Sequence, residues 1–119
     1  LWIILAGGYL VESLKKNKEF KKVYENGSSY ATRNLVIYCL NYEKGKKNRY
    51  GLSVSKKIGN AVVRNRLKRR LREIIREFER EKEFKGYDII FIARKPVVNL
   101  DYHRLKKDVK KLYQKMNII

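Results

Sequence analysis

Between Ser55 and Arg76 the chain reads S-K-K-I-G-N-A-V-V-R-N-R-L-K-R-R-L-R-E-I-I-R. From position 64 to 76 there are seven cations, Arg64, Arg66, Lys68, Arg69, Arg70, Arg72 and Arg76, and a single acid, Glu73. At about 100° per residue, Asn65, Lys68, Arg69, Arg72 and Arg76 share one sector, with Arg66 and Arg70 on its flank. A solvated surface helix intersperses acids among its cations. This one does not, so its self-repulsion calls for an anionic partner, and the chemistry on offer is the binding of nucleic-acid phosphate. Gly59 and Asn60 suit a turn into the helix, whose first amides add positive charge.

Other chemistry is scarce. Cys39 is the only cysteine and His103 the only histidine, so there is neither an internal disulfide nor a four-ligand zinc set. Asp88, Asp101 and His103 do not compose a catalytic site, and there is no phosphate-binding glycine loop or nucleophile motif. The sequence therefore points to a binder. Phe20, Val23 and Tyr24 share a helical face that is either core or a platform for unstacked bases. Tyr38 shares a strand face with Val36, Leu40 and Tyr42, and is either a core phenol or a stacking residue. Arg94 and Lys95 place two cations at a strand end, as loop charges or as phosphate ligands.

These residues need elements to position them. The apolar residues Val63, Leu67, Leu71, Ile74 and Phe78 predict a buried helical stripe running to about Glu83. Asn17 caps a short helix over 18–25 that Gly27 ends. Leu35–Tyr42 and Tyr50–Ser55 are strands expected to form an antiparallel hairpin around a charged turn, with a shorter strand near 29–32. Tyr87–Ala93 is a strand whose unbroken apolar run predicts burial on both faces. Asp101 caps a last helix through Met116, with Leu105, Val109, Leu112 and Met116 inward. The order α-β-β-β-α-β-α gives a single α+β domain with a small four-stranded mixed sheet packed with helices.

The 119 residues allow one modest core, and 30 Lys and Arg against 12 Asp and Glu give a net charge of +18 spread along the chain. Such a field favours a polyanion, with steep salt dependence. The apolar prefix L-W-I-I-L-A-G-G-Y-L is shorter than the about 20 residues a membrane helix needs and lacks the basic start of a secretory signal. The expectation is that residues 1–10 are an extension, non-native or disordered, upstream of a start at Val11. A cytoplasmic location is expected, with no membrane and no small-molecule substrate.

The run S-K-K-I-G-N-A-V-V-R-N-R-L-K-R resembles the signature of the bacterial ribonuclease P protein subunit, whose hallmark Arg-Asn-Arg corresponds to Arg64, Asn65 and Arg66. The likeness extends from Leu14 to about Met116 through L-K-K-N-K-E-F-K-K-V-Y-E-N-G, R-Y-G-L-S-V-S-K-K and Y-D-I-I-F-I-A-R-K-P, so residues 11–119 are expected to be the family's domain.

The resemblance implies a ribonucleoprotein in which a large RNA holds the active site and its Mg2+, and removes the 5′ leader of precursor tRNA. No catalytic group, metal or cofactor is then expected on this chain. It implies that Lys57, Arg64, Asn65, Arg66, Lys68, Arg69 and Arg72 contact the catalytic RNA. It also implies that a cleft between the first helix and the sheet holds the single-stranded leader of precursor tRNA against Phe20, Tyr24 and Tyr38, with Lys56, Arg94 and Lys95 near its phosphates. Tyr24 stands where the family often has phenylalanine, keeping the π face and adding a hydroxyl. A left-handed crossover around the basic helix is implied as well, against the usual right-handed rule.

Overall fold

A computed structural model describes residues 2–4, 10–14, 17–42 and 44–118. The elements are β1 (Trp2–Ile4), β2 (Leu10–Ser13), α1 (Asn17–Asn26), β3 (Ser28–Ala31), β4 (Leu35–Asn41), β5 (Arg49–Ser53), α2 (Ala61–Glu81), β6 (Tyr87–Ala93) and α3 (Tyr102–Lys115), with 3-10 turns at Lys56–Ile58 and Lys95–Asn99. From α1 onward this is the expected order. Two short strands precede it, and the sheet runs β1-β2-β5-β6-β4-β3.

Local chemistry accounts for the helix starts. Asn60 Oδ1 accepts from the Val63 N–H at 3.0 Å and caps α2, and Asp101 Oδ1 accepts from the Arg104 N–H at 2.9 Å and caps α3. α2 buries Leu67, Leu71, Ile74, Ile75 and Phe78, each worth roughly 1.5–3 kcal/mol relative to exposure. Gly27 follows α1 without a positive φ. A side chain there would lie 2.7 Å from the carbonyl oxygens of both Val23 and Cys39, so the residue permits the tight passage from α1 into β3.

Alternation along the strands sorts the core into two layers. Leu35, Ile37 and Cys39 of β4, Tyr50 of β5 and Ile89 and Phe91 of β6 meet α2 and α3. Ile90 of β6, with Tyr38 and Leu40 of β4, meets Val23 and Phe20 of α1. The helices therefore cover opposite faces of one sheet.

The expected β4–β5 hairpin does not form. β6 lies between the two strands, antiparallel to β4 and parallel to β5. β6 buries Asp88, Ile89, Ile90 and Phe91 in succession, and a strand apolar on both faces takes the centre of a sheet, displacing a pairing that chain proximity alone suggests.

The hand of the β5-α2-β6 crossover follows from L-residue stereochemistry. In an extended strand viewed with its direction upward, a residue whose side chain faces the viewer points its N–H and C=O to the right. Tyr50 faces α2, and its carbonyl accepts from the Leu14 N–H at 3.0 Å on the β2 side. Seen from α2, then, β6 lies to the left of β5, and the crossover is left-handed, contrary to the general rule.

Candidate nucleic-acid interface

On the α1 face the paired residues form three cross-strand rows. Arg49, Asp88 and Leu40 make the first, Gly51, Ile90, Tyr38 and Ser29 the second, and Ser53, Ile92, Val36 and Ala31 the third. α1 rests on the first two. Its Glu19 binds the Arg49 guanidinium at 2.9 Å, while Arg49 holds the buried Asp88 through two bonds of 2.6 Å. This bidentate pair is far from a surface salt bridge, because Asp88 is 1% exposed. Phe20 lies directly over Gly51, where a Cβ would come within 2.6 Å of its ring.

The third row is left only partly covered, and it forms the floor of a groove beside α1. Tyr24, 39% exposed, stands edge-on to Tyr38 with ring centroids 4.9 Å apart, and its centroid lies 6.4 Å from that of Phe20. The trio left open between core and platform is graded: Val23 is fully buried, Phe20 is partly buried against the same core cluster, and Tyr24 is the most open of the three. Burial, and then the neighbouring Tyr38, hold the Tyr24 phenol above its usual pKa, so it is a neutral hydrogen-bond donor at physiological pH.

Cations gather where the parallel strands β5 and β6 end. Lys56 and Lys57 lie in the 3-10 turn after β5, and Arg94 and Lys95 lie just past β6, with the two 3-10 turns in contact. All four are exposed. Arg94 donates to the Thr32 carbonyl at 3.2 Å, and the Asn34 carbonyl accepts its backbone N–H at 2.9 Å. The structure thus brings Phe20, Tyr24 and Tyr38 together, with Lys56, Arg94 and Lys95 just past the C-terminal ends of β5 and β6.

Helix α2 lies on the other side of the sheet, and two of its cations, Lys68 and Arg72, reach the β5 edge, where they line a cavity of about 150 Å³ with Phe20 and Gly51. Asn65, Arg66 and Arg69 are exposed, and Arg64, Lys68, Arg70 and Arg72 are half-buried. Arg64 Nε is bonded to the Gly59 carbonyl at 3.2 Å. One correction concerns the sector expected from helical geometry. Arg76 is drawn back to Glu73 by bonds of 2.7 and 2.9 Å and is 12% exposed, so it is not an open phosphate ligand. Arg72 also turns inward, with a buried Nε that has no protein partner.

Sequence reading missed Gly51, Ser53, Val36 and Ile92 as parts of the groove. Their parity with Tyr38 was available for Val36, but the remainder depended on knowing that β6 separates β4 from β5. His103 is exposed and Cys39 is buried. A separate cavity of about 440 Å³, walled by Ser28, Tyr30, Tyr87 and Lys115, includes none of the predicted site residues. Among the described residues no group of three His, Cys, Asp or Glu is placed to hold a metal ion, and no helix is long and apolar enough to cross a membrane.

An α+β sheet with a left-handed crossover, a cationic helix on one face and exposed aromatic rings on the other has the makings of a small nucleic-acid-binding protein. The Ribonuclease P family model matches residues 11–117. The chain is 49% identical over 106 residues to the ribonuclease P protein component of Bacillus velezensis, covering 88% of this chain and 89% of that protein. The solved structure of the Staphylococcus aureus RNase P protein superposes with a TM-score of 0.81 at 34% identity, covering 89% of this chain and 95% of that one. The Thermotoga maritima RNase P protein gives 0.74 at 29% identity, covering 87% and 96%. The chain belongs to the ribonuclease P protein component family.

Proposed function

We propose that this chain is the ribonuclease P subunit that holds two RNAs on opposite faces of its sheet and supplies no catalytic group itself. The exposed and half-buried residues of α2, Arg64, Asn65, Arg66, Lys68, Arg69 and Arg72, together with Lys57, bind the catalytic RNA. The groove of Phe20, Tyr24 and Tyr38, with Lys56, Arg94 and Lys95, binds the single-stranded 5′ leader of precursor tRNA. The observation that carries this reading is the aromatic groove on the face opposite α2, with cations at the ends of the strands that floor it. Aromatic rings stack on unpaired bases of any sequence while cations follow the backbone, which suits a leader that varies.

The mechanism is differential binding. Leader contacts strengthen the precursor complex and are lost once the leader has left, so substrate is favoured over product without a protein group at the scissile phosphate. Cations on both faces also reduce repulsion between two polyanions. Magnesium, in this reading, is bound by the RNA.

The test is cleavage of precursor tRNA at near-physiological magnesium and salt by the protein, by the RNA, and by both together. Cleavage by the mixture alone is expected, and cleavage by rigorously RNA-free protein would overturn the reading. Replacing Arg64 and Arg66 by Ala is expected to weaken assembly with the catalytic RNA, which a binding titration measures directly.

A further inference from the structure

Helix α3 carries a second cationic face that the two proposed sites leave unused. At about 100° per residue, Arg104, Lys107, Lys111 and Lys115 fall within a sector of roughly 80°, with Lys110 on its flank. All five are exposed. The remaining α3 lysine, Lys106, is turned inward to Glu77 and Glu81 of α2. Of the two acids associated with this helix, Asp101 is its cap and Asp108 is buried, bonded to Thr32. Among the described residues no acid forms an ion pair with the five cations.

The contrast with α2 is informative. In the C-terminal half of α2, Glu73 pairs with Arg76, Glu77 with Lys106, and Glu79 accepts from Tyr50 and Asn48. Charge there is settled internally. On α3 like charges repeat at i, i+3 and i+4, a spacing that repels along a helix unless an external polyanion lies against it. The stripe rises about 16 Å from Arg104 to Lys115, long enough to follow several successive phosphates.

We infer that the outer face of α3 is an additional docking surface for the phosphate backbone of the ribonuclease P RNA. The choice of RNA rests on the proposed function above. α3 packs with α2 on the sheet face opposite the leader groove; Lys106 faces α2 and the stripe lies roughly 140° round the helix from it, so an RNA seated on α2 reaches the stripe over the outside of α3, by way of Lys110.

The test compares two charge-matched variants, Lys107→Gln/Lys111→Gln/Lys115→Gln on α3 and Arg80→Gln/Lys82→Gln/Lys85→Gln around the end of α2, all exposed positions. Affinity for the in vitro transcribed RNA subunit is titrated against salt, with melting curves verifying that each variant is folded. The α3 variant is expected to lower the slope of log K against log salt by about 2–3, as release of three phosphate contacts requires, and the control by less than 1. Equal falls in both would reduce the effect to net charge and overturn the inference. So would intact RNA affinity with weakened precursor binding. A photo-crosslinker at Lys111→Cys supplies an independent readout: attachment to the RNA subunit is expected, and attachment only to precursor tRNA contradicts the inference. Unchanged RNA affinity in Arg64→Ala/Arg66→Ala would instead defeat the α2 reading, whatever α3 does.

Discussion

On the proposed function, single side chains in the groove are expected to have separable jobs. Phe20→Ala and Tyr24→Ala remove π faces, each expected to cost about 1–3 kcal/mol of precursor tRNA binding, the range for a stacked base, while mature tRNA binding stays nearly constant. Equal weakening of both RNAs would remove the leader from the groove. Gly51→Ala is a sharper probe, because it adds no charge and removes no ring. Its Cβ would sit 2.6 Å from Phe20, so the ring must move, and the same precursor-specific loss is expected. On the opposite face Cys39 is 7% exposed, and burial followed by repulsion from Asp88 pushes its thiol up to about 12. It is expected to resist iodoacetamide at pH 8 in the folded protein and to react once unfolded, as mass spectrometry would show.

At the scale of elements, the junction of α2 and α3 makes a pH prediction. Burial alone would raise the Glu77 pKa, but hydrogen bonds from Lys106 and Tyr102 outweigh it and hold the carboxyl below its usual value. A carboxylate with a depressed folded pKa stabilises the fold above its unfolded pKa, and that stabilisation is lost as pH falls through the folded value. Glu77→Gln is therefore expected to melt lower than the parent at pH 7, with the two melting curves converging below about pH 4, near and under the ordinary range for glutamate. A constant gap across pH would place the effect in packing instead of charge. The partner and the cap of each helix were partly legible beforehand. Asn60 and Asp101 announced their helices because a short polar side chain before an apolar period satisfies amides locally. Arg76 was misplaced because helical geometry counts angles and does not register that Glu73, one turn back, captures the guanidinium.

For the molecule as a whole, a net charge of +18 with cations on both sheet faces predicts that catalytic RNA binding falls steeply with salt. Precursor preference over mature tRNA, which rests partly on stacking, is expected to fall less steeply across the same titration. Parallel declines would mean that the leader is held by charge alone. The proposed division of labour depends on the sheet, which lies between α1 and the α2–α3 layer and braces α1 through Glu19, Arg49 and Asp88.

Composition and spacing alone determined that this is a basic, single-domain α+β protein built to meet nucleic acid. Charge sign, the apolar period of α2 and the caps are all local properties, readable within a few residues. The family was legible because Arg64, Asn65 and Arg66 follow a glycine turn in a specific run. Tertiary structure decided what depends on distant residues meeting. β6 entered between β4 and β5 because only a central position buries an apolar strand on both faces, and the expected hairpin was lost to it. The same insertion placed Ile92 between Val36 and Ser53 and completed a groove floor that no stretch of sequence contains. How much of Phe20 and Tyr24 stays open likewise awaited the packing of α1, since helical periodicity shows which residues share a face and not how far the neighbouring layer extends to cover it.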